Sequence, residues 1–509
     1  MPPLTQVFKL SAGLVGAFLL FGAAVPGLLA DGSKLVHRFI LDTFGWFYLV
    51  SVTGILICAI YLIFSRFGHI RLGLDGDRPE YNLVTWFAML FCAGMGIGLV
   101  FWGVAEPTLH YYDPPSGPGQ TPEAAEQALR YSFFHWGFHP WAIYAMVGLA
   151  LAYPQFRKRT PGLISESCRP LMGKWIEGPV GYAIDTMAVF ATVFGAATSL
   201  GFGAMQISGG LSYLLGTPNT IGTHLILVVA VTVLFMTSAH TGLQRGIKYL
   251  SNINIVLALS LLTFLLMIGP TKFLMTAFTS SLGNYLSELP WMSLQLAPLG
   301  DQQWIRDWTL FYWAWWVAWA PFVGTFIARV SKGRTVREFV LGVMLVPTVF
   351  CGLWFSVFGG TAISLEMNGD GGIKQLIDVQ GYEVALFFLL DHFPLGALMS
   401  TLAIFLVAIF FITSADSATF VLGTFTTRGE LSPPNLIKFV WGIVLSVAAG
   451  VLLLSGGLKG LQTTAIIVAF PFAMIMIVMV VALFLSFQGE LKAEAEGVRP
   501  ERGPNDWLQ

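Results

Sequence analysis

The chain has 509 residues, of which 55% are apolar and only 11% charged, against about 25% charged in an average soluble domain. That is too little charge to coat the several cores a soluble chain of this length would form. A net charge of −1 offers no basic surface for nucleic acid.

The apolar residues fall in blocks of about 20, the length a helix needs to cross the hydrocarbon core of a bilayer. In chain order they predict twelve spans, at 7–30, 46–66, 85–106, 132–153, 180–212, 220–240, 250–270, 308–330, 337–364, 396–425, 436–456 and 461–487. The first block is too long for the core of a signal peptide and has only Lys9 as an early basic residue, so it reads as a retained span. The fifth exceeds a perpendicular crossing and predicts a tilted or bent helix. Of the four cysteines, Cys58, Cys92 and Cys351 lie inside apolar blocks. With Cys168 they show no metal-type spacing, and all four read as free thiols.

Lysine and arginine placement sets the orientation. With the N-terminus inside, five cytoplasmic loops hold sixteen basic residues, among them Arg157, Lys158, Arg159, Arg329, Lys332, Arg334 and Arg337, while six external loops share seven. Both termini are thus expected in the cytoplasm of a multi-pass protein. Two external connections are long enough for structure of their own: 107–130, with a Pro/Gly-rich stretch and an Ala/Glu-rich turn, and 272–307, whose amphipathic 274–289 segment predicts a surface helix. No soluble domain, low-complexity segment or visible internal repeat is present.

Three spans carry the chemistry. The third contains Gly94-Met95-Gly96-Ile97-Gly98. Three alternating glycines cost about 1 kcal/mol each against alanine in a helix. They indicate either close helix packing or a locally unwound segment facing a cavity, the only place where irregular backbone is tolerated at that depth. The fourth span begins with His135, Trp136, His139, Trp141 and Tyr144. An interfacial aromatic belt accounts for Trp136 but not for Tyr144, about 18 Å further in. The two histidines, near the external interface, read as structural, with a proton relay as the alternative.

The eighth span holds Trp313, Trp315, Trp316 and Trp319, followed by Pro321 and Gly324. Trp319 lies about 16 Å along it, too deep for a belt. Indole is the strongest cation–π face, at roughly 0.5–2 kcal/mol per contact. With no Asp or Glu expected beside these rings, an aromatic cage suits a methylated ammonium, which has no N–H to donate. Lipid-facing or packing aromatics are the alternative. The tenth span contains Phe410 and then Thr413-Ser414-Ala415-Asp416-Ser417. Its hydroxyls fit helix packing or an Na⁺ site. Asp416 is an intramembrane carboxylate and so a candidate for coupling, or for structural pairing with a loop arginine. No metal-ligand cluster, nucleophile motif or paired carboxylates are seen in the spans, which argues against an enzyme.

Together these segments resemble the betaine/choline/carnitine transporter (BCCT) family, and the resemblance extends through Tyr312-Trp313-Ala314-Trp315-Trp316, Pro321-Phe322-Val323-Gly324, Ala328-Arg329 and Gly333-Arg334-Thr335-Val336-Arg337-Glu338. It implies an all-α fold of two inverted five-helix repeats preceded by two extra helices, as in sodium symporters. The parts are then 1–84 (two-helix extension), 85–307 (first repeat with the external amphipathic segment), 308–487 (second repeat) and 488–509 (cytoplasmic tail). It also implies a homotrimer in a bacterial cytoplasmic membrane. The family's aromatic box maps onto Trp136, Trp141, Tyr144 and Trp316, with Trp315 and Trp319 along the pathway and Gly94, Met95, Gly96 and Gly98 lining the site. One family Na⁺ site maps onto Cys92, Met95, Phe410, Thr413 and Ser414, and a second onto Thr198, Ser199 and Phe322.

Choline-preferring relatives tend to have Asp where this chain has Gly98, which favours a zwitterion such as glycine betaine. Sodium-independent carnitine exchangers lack the hydroxyl pair present here as Thr413 and Ser414. The tail from Gly489 has five acidic and three basic residues, unlike the long basic tails of osmosensing members. The expectation is Na⁺-coupled uptake of a betaine-type osmolyte by alternating access, with Na⁺ as coupling ion and no other cofactor. The rivals are an Na⁺-independent exchanger or H⁺-coupled carrier of carnitine or choline, a membrane enzyme acting on choline lipids, and a receptor or channel recognising choline groups.

Overall fold

The computed structural model of the chain describes residues 4–240, 244–297, 300, 302–430 and 432–496, without the side chains of 91–93, 238–240 and 244–248. Cys92 is therefore placed by its backbone only, and Arg499 and Arg502 of the tail lie outside the described residues. Among the described residues the structure consists of helices joined by turns and irregular connections, with no strand and one isolated antiparallel bridge, Arg71 to Thr335, and Cys58, Cys168 and Cys351 are free thiols.

Among the described residues nine helices are long and apolar enough to cross a bilayer: Gln6–Ala24, Pro26–Phe64, Pro179–Leu215, Tyr249–Ile268, Gln303–Val330, Val336–Asn368, Gly396–Thr426, Asn435–Leu454 and Gly457–Ala495. They are spans one, two, five, seven, eight, nine, ten, eleven and twelve. Span six is the shorter apolar helix Ile221–Thr237. Spans three and four are each broken, into Leu83–Gly94 with Ile97–Tyr112 and Pro122–Trp136 with Phe138–Ala152.

Several boundaries differ from expectation. The first span ends at Ala24, because Val25 is non-helical and Pro26 opens the next helix, where its missing N–H costs nothing. Residues 31–45, expected as a loop, continue that second helix. Charged side chains at its surface do not interrupt the backbone ladder. Span five is one uninterrupted helix of 37 residues, closed by left-handed Gly216. Span twelve runs on to Ala495, because Glu490 is held there, accepting from Arg157 Nε (2.8 Å), Lys158 Nζ (2.8 Å) and the Tyr153 hydroxyl (2.8 Å). The amphipathic segment forms the surface helix Thr271–Leu294, and a further connection, not anticipated, folds into short helices Ile373–Gln380 and Ala385–Asp391.

Packing between spans carries a two-fold pattern. Span three packs on nine as eight packs on four. Span five packs on twelve as ten packs on seven, and five on eleven as ten on six. Exchanging spans three to seven with eight to twelve leaves these pairings intact. Five crossings per unit start the second unit from the opposite face, so the repeats are inverted. Spans one and two stand outside the exchange, against five and eleven, and against four and twelve, respectively. Spans five and eight are 89% buried over their most apolar windows, against 28% for spans one and seven, which puts five and eight at the centre. The rim exposes Leu20, Phe39, Ile57 and Phe64, side chains suited to lipid as solvent.

On the face bearing most basic residues, the Gly-Arg-Thr-Val-Arg-Glu segment is clamped to the connection between spans two and three. Leu72 N–H donates to Arg334 C=O (2.8 Å), Gly333 N–H to Leu72 C=O (2.7 Å) and Val336 N–H to Ile70 C=O (2.9 Å). Arg334 lies 4.3 Å over the Trp86 ring, and Thr335 with Glu338 forms a capping box that starts span nine. Gly333 has φ +83°, and a Cβ there would meet Arg78 O at 2.3 Å. Gly333→Ala is therefore expected to destabilise the protein by about 1–3 kcal/mol, read as a lower unfolding midpoint in detergent.

Candidate functional site

Span three breaks at Met95 and Gly96, where Gly96 is extended (φ −132°, ψ −150°). The glycines around the break are spaces for indole rings. A Cβ on Gly94 would lie 2.3 Å from Trp141 Cη2, one on Gly98 would lie 2.5 Å from Trp315 Cη2 and 3.0 Å from Trp136 Cη2, and one on Gly96 would lie 3.5 Å from Trp319 Cη2. Unwinding and close packing, set out above as alternatives, thus occur together. Met95 instead turns to span nine, with Sδ 3.9 Å from Cys351 Sγ.

Span four breaks at Gly137 (φ −95°, ψ −132°), a feature its sequence does not announce. The break separates Trp136 from Trp141 and Tyr144. Trp316 of span eight meets both sides of it, with ring centroids 4.8 Å from Trp136 at 74° and 6.3 Å from Tyr144 at 81°. Trp141 stands edge-on to Tyr144 at 5.6 Å, and Trp315 stacks on Trp316 at 4.7 Å and 15°. These edge-on rings give a set of differently oriented π faces, and none of the four box residues is more than 4% exposed. Trp316 Nε1 donates to His135 C=O (2.9 Å), a carbonyl beside the break, and Trp319 Nε1 to Gly195 C=O (2.8 Å). The Tyr144 hydroxyl and Trp315 Nε1 are buried without a protein partner. Trp313 stacks on His139 (4.9 Å, 24°), which pairs with Ser293 Oγ at 3.0 Å.

The expectation that no carboxylate lies beside these aromatics is overturned. Glu106, fully buried on Ile97–Tyr112, accepts from Trp136 Nε1 (2.9 Å) and from the Tyr312 hydroxyl. Its other oxygen contacts His135 Nδ1 (2.8 Å) and His110 Nε2 (3.3 Å). Glu106, His110 and His135 also place three metal-type ligand atoms within 4.8 Å of one another, so the expected absence of such a cluster from the spans is corrected as well. Direct hydrogen bonds already account for its geometry. Glu106 was missed because span three was taken to end there, whereas the helix continues to Tyr112 through Pro107. A lone Glu within Val100–Leu109 was the available signal. Tyr312 and Phe355, 5.6 and 5.4 Å from Trp136, also join the site.

The candidate oxygen ligands divide into two places. Ser414 Oγ lies 3.9 Å from the Cβ position of Gly96, so span ten faces the break in span three there. Thr413 Oγ1 bonds back to Ile409 C=O (2.9 Å) and Phe410 C=O (3.3 Å) on its own helix. Thr198 Oγ1 donates to Phe194 C=O (2.9 Å) and reaches Leu461 C=O of span twelve (3.3 Å), and neighbouring Ser199 Oγ is buried without a partner. Phe322 packs edge-on to Trp319 at 5.7 Å. Asp416 is buried, with Lys438 as the charged group acting on it. Arg329 sits over Phe420 at 4.4 Å.

Compared with known proteins, residues 6–492 match the family described as BCCT, betaine/carnitine/choline family transporter. The glycine betaine transporter OpuD of Bacillus subtilis (strain 168) is 50% identical over 506 residues, covering 98% of each chain. The ectoine/hydroxyectoine transporter of Virgibacillus pantothenticus is 43% identical over 96% of this chain and 98% of its own. The betaine/ectoine transporter LcoP of Corynebacterium glutamicum is 41% identical over 94% of this chain and 76% of its own. The broken third span, the aromatic cluster of spans four and eight and this near full-length match place the chain in the BCCT family, as a multi-span membrane transporter and not an enzyme.

Proposed function

We propose that this transporter carries a betaine-class zwitterion into the cell with Na⁺, by alternating access of its two repeats. The observation that carries this reading is Trp316 standing edge-on to both Trp136 and Tyr144, with glycines rather than side chains beneath the rings. A trimethylammonium head offers no N–H, so its favourable contacts are dispersion and cation–π attraction. The buried, unpartnered Tyr144 hydroxyl and Trp315 Nε1 are donors for the carboxylate end. Gly98 leaves no room for a protein carboxylate there without displacing Trp315, which suits a substrate that brings its own.

Na⁺ sits most naturally at the break in span three, between the backbone at Cys92 and Met95 and the residues Phe410, Thr413 and Ser414 of span ten. A second ion belongs near Thr198, Ser199 and Phe322. A tenfold gradient supplies about 1.4 kcal/mol per ion and 100 mV adds about 2.3. Two ions then support about 10⁵-fold accumulation of a neutral zwitterion, and one supports under about 10³. The basic face is read as cytoplasmic, in a bacterial cytoplasmic membrane with both termini inside, and the assembly as a homotrimer. A second reading, ectoine as substrate, is favoured by the names of two relatives. Saturation binding across glycine betaine, carnitine, choline and ectoine, with and without Na⁺, separates the two.

Uptake of labelled glycine betaine into sealed vesicles is expected to collapse when Na⁺ is replaced by K⁺, and undiminished uptake would sink the symport reading. Trp316→Leu keeps an apolar surface but loses the π face, so betaine binding should weaken by about 1–2 kcal/mol; unchanged affinity would place the residue outside the site. Gly98→Ala drives a methyl group against Trp315 and Trp136 and should reduce betaine affinity on the order of tenfold or more, measured by the same binding assay.

A further inference from the structure

The cluster behind the aromatic box holds a buried carboxylate, Glu106, with no lysine or arginine paired to it among the described residues. Trp136 Nε1 can only donate, and the Tyr312 hydroxyl donates to the same oxygen of Glu106. On the other oxygen lie His135 Nδ1 at 2.8 Å, its Nε2 being 3.0 Å from Thr309 Oγ1, and His110 Nε2 at 3.3 Å, its Nδ1 unpartnered. A carboxylate receiving four donors satisfies every contact, and with both rings as neutral tautomers its charge of −1 stays uncancelled. No lysine or arginine among the described residues forms an ion pair with it. A buried charge without a counter-ion is expensive, and one layer of rings, Trp136 and Tyr312, separates this one from Trp316. Trp136 reaches Glu106 through its N–H and Gly98 with the opposite edge of its ring.

We propose that Glu106 is a specificity-determining residue that supplies the remote counter-charge for the substrate's ammonium group. It acts through Trp136, whose N–H it orients and whose ring it polarises toward negative charge. Together they let an aromatic cage distinguish a cationic head from a neutral one of equal shape. Aromatic faces alone recognise size and surface well but charge only modestly. A fixed carboxylate one ring away adds a field that acts on any cation in the box and is felt little by an uncharged group there.

This rests on the reading that betaine binds in the box, and the test keeps the two apart. Glycine betaine and 3,3-dimethylbutyrate share a carboxylate and the same outline, but the first carries a quaternary nitrogen where the second has a carbon. Each is titrated in competition with labelled glycine betaine on purified wild-type protein and on Glu106→Gln, Glu106→Asp and Trp136→Phe. Wild type should prefer glycine betaine strongly; the absence of that preference would overturn the cage itself. In Glu106→Gln the preference should fall on the order of tenfold, the scale of two unit charges one ring apart at protein dielectric, and Glu106→Asp should retain most of it. A Glu106→Gln protein that loses affinity for both compounds equally, or for neither, would overturn the counter-charge and leave Glu106 a packing residue. Should Glu106→Gln fail to fold, Trp136→Phe decides. It keeps a ring but removes the N–H through which Glu106 is proposed to act, so an unchanged preference there is equally fatal.

Discussion

A helix interrupted inside a bilayer frees backbone N–H and C=O groups that lipid cannot satisfy, at several kcal/mol each. This chain tolerates two interruptions because side chains from other elements arrive to meet them. At Gly137 in span four, the His135 carbonyl takes the indole N–H of Trp316, and the Phe138 N–H is taken by the Tyr285 oxygen at 2.9 Å. The same bond that repairs the backbone fixes the orientation of the central ring of the cage. At Met95 and Gly96 in span three, the exposed turn is roofed by Trp319 and faced by Ser414. Structural repair and the proposed solute recognition fall on the same residues.

The inverted repeats explain why the two gaps meet. Span three opens the first five-helix unit and span eight the second, and each lies against the fourth crossing or its counterpart in the other unit. The glycines of one unit then face the tryptophans of the other, with Gly96 beneath Trp319 and Gly98 beneath Trp315. A site built across two units is the arrangement that the proposed alternating access requires, since any movement of one unit against the other would open or close it.

Much of this was legible in the sequence, and the limits have physical causes. Block length gave the number of spans, and alternating glycines marked the first break, because both are local signals. The boundary at Pro26 was blurred because hydropathy does not distinguish an apolar helix end from the start of the next. The break at Gly137 was invisible, since one glycine in a helix has many explanations and its stabilising partner, Tyr285, lies 148 residues downstream. Glu106 was passed over because a carboxylate at a helix end normally faces solvent. What buries this one is its set of four donors, drawn from span four, span eight and its own helix. Glu490 is the converse case: a residue assigned to a free tail is fixed by Arg157, Lys158 and Tyr153. Motif resemblance supplied the box residues, and the structure supplied the reason for their neighbours.

The contact between Tyr285 and Phe138 gives the surface helix Thr271–Leu294 a mechanical role. Phe138 stands two residues after Trp136 and three before Trp141, at the one point in span four where the backbone ladder is already open. The helix also presents Ser293 to His139 and the Tyr285 ring in a stack on Phe138 at 5.7 Å. The helix is therefore fastened to span four beside the opening that separates Trp136 from Trp141, so the spacing of those two rings depends on a helix drawn from a connection between spans.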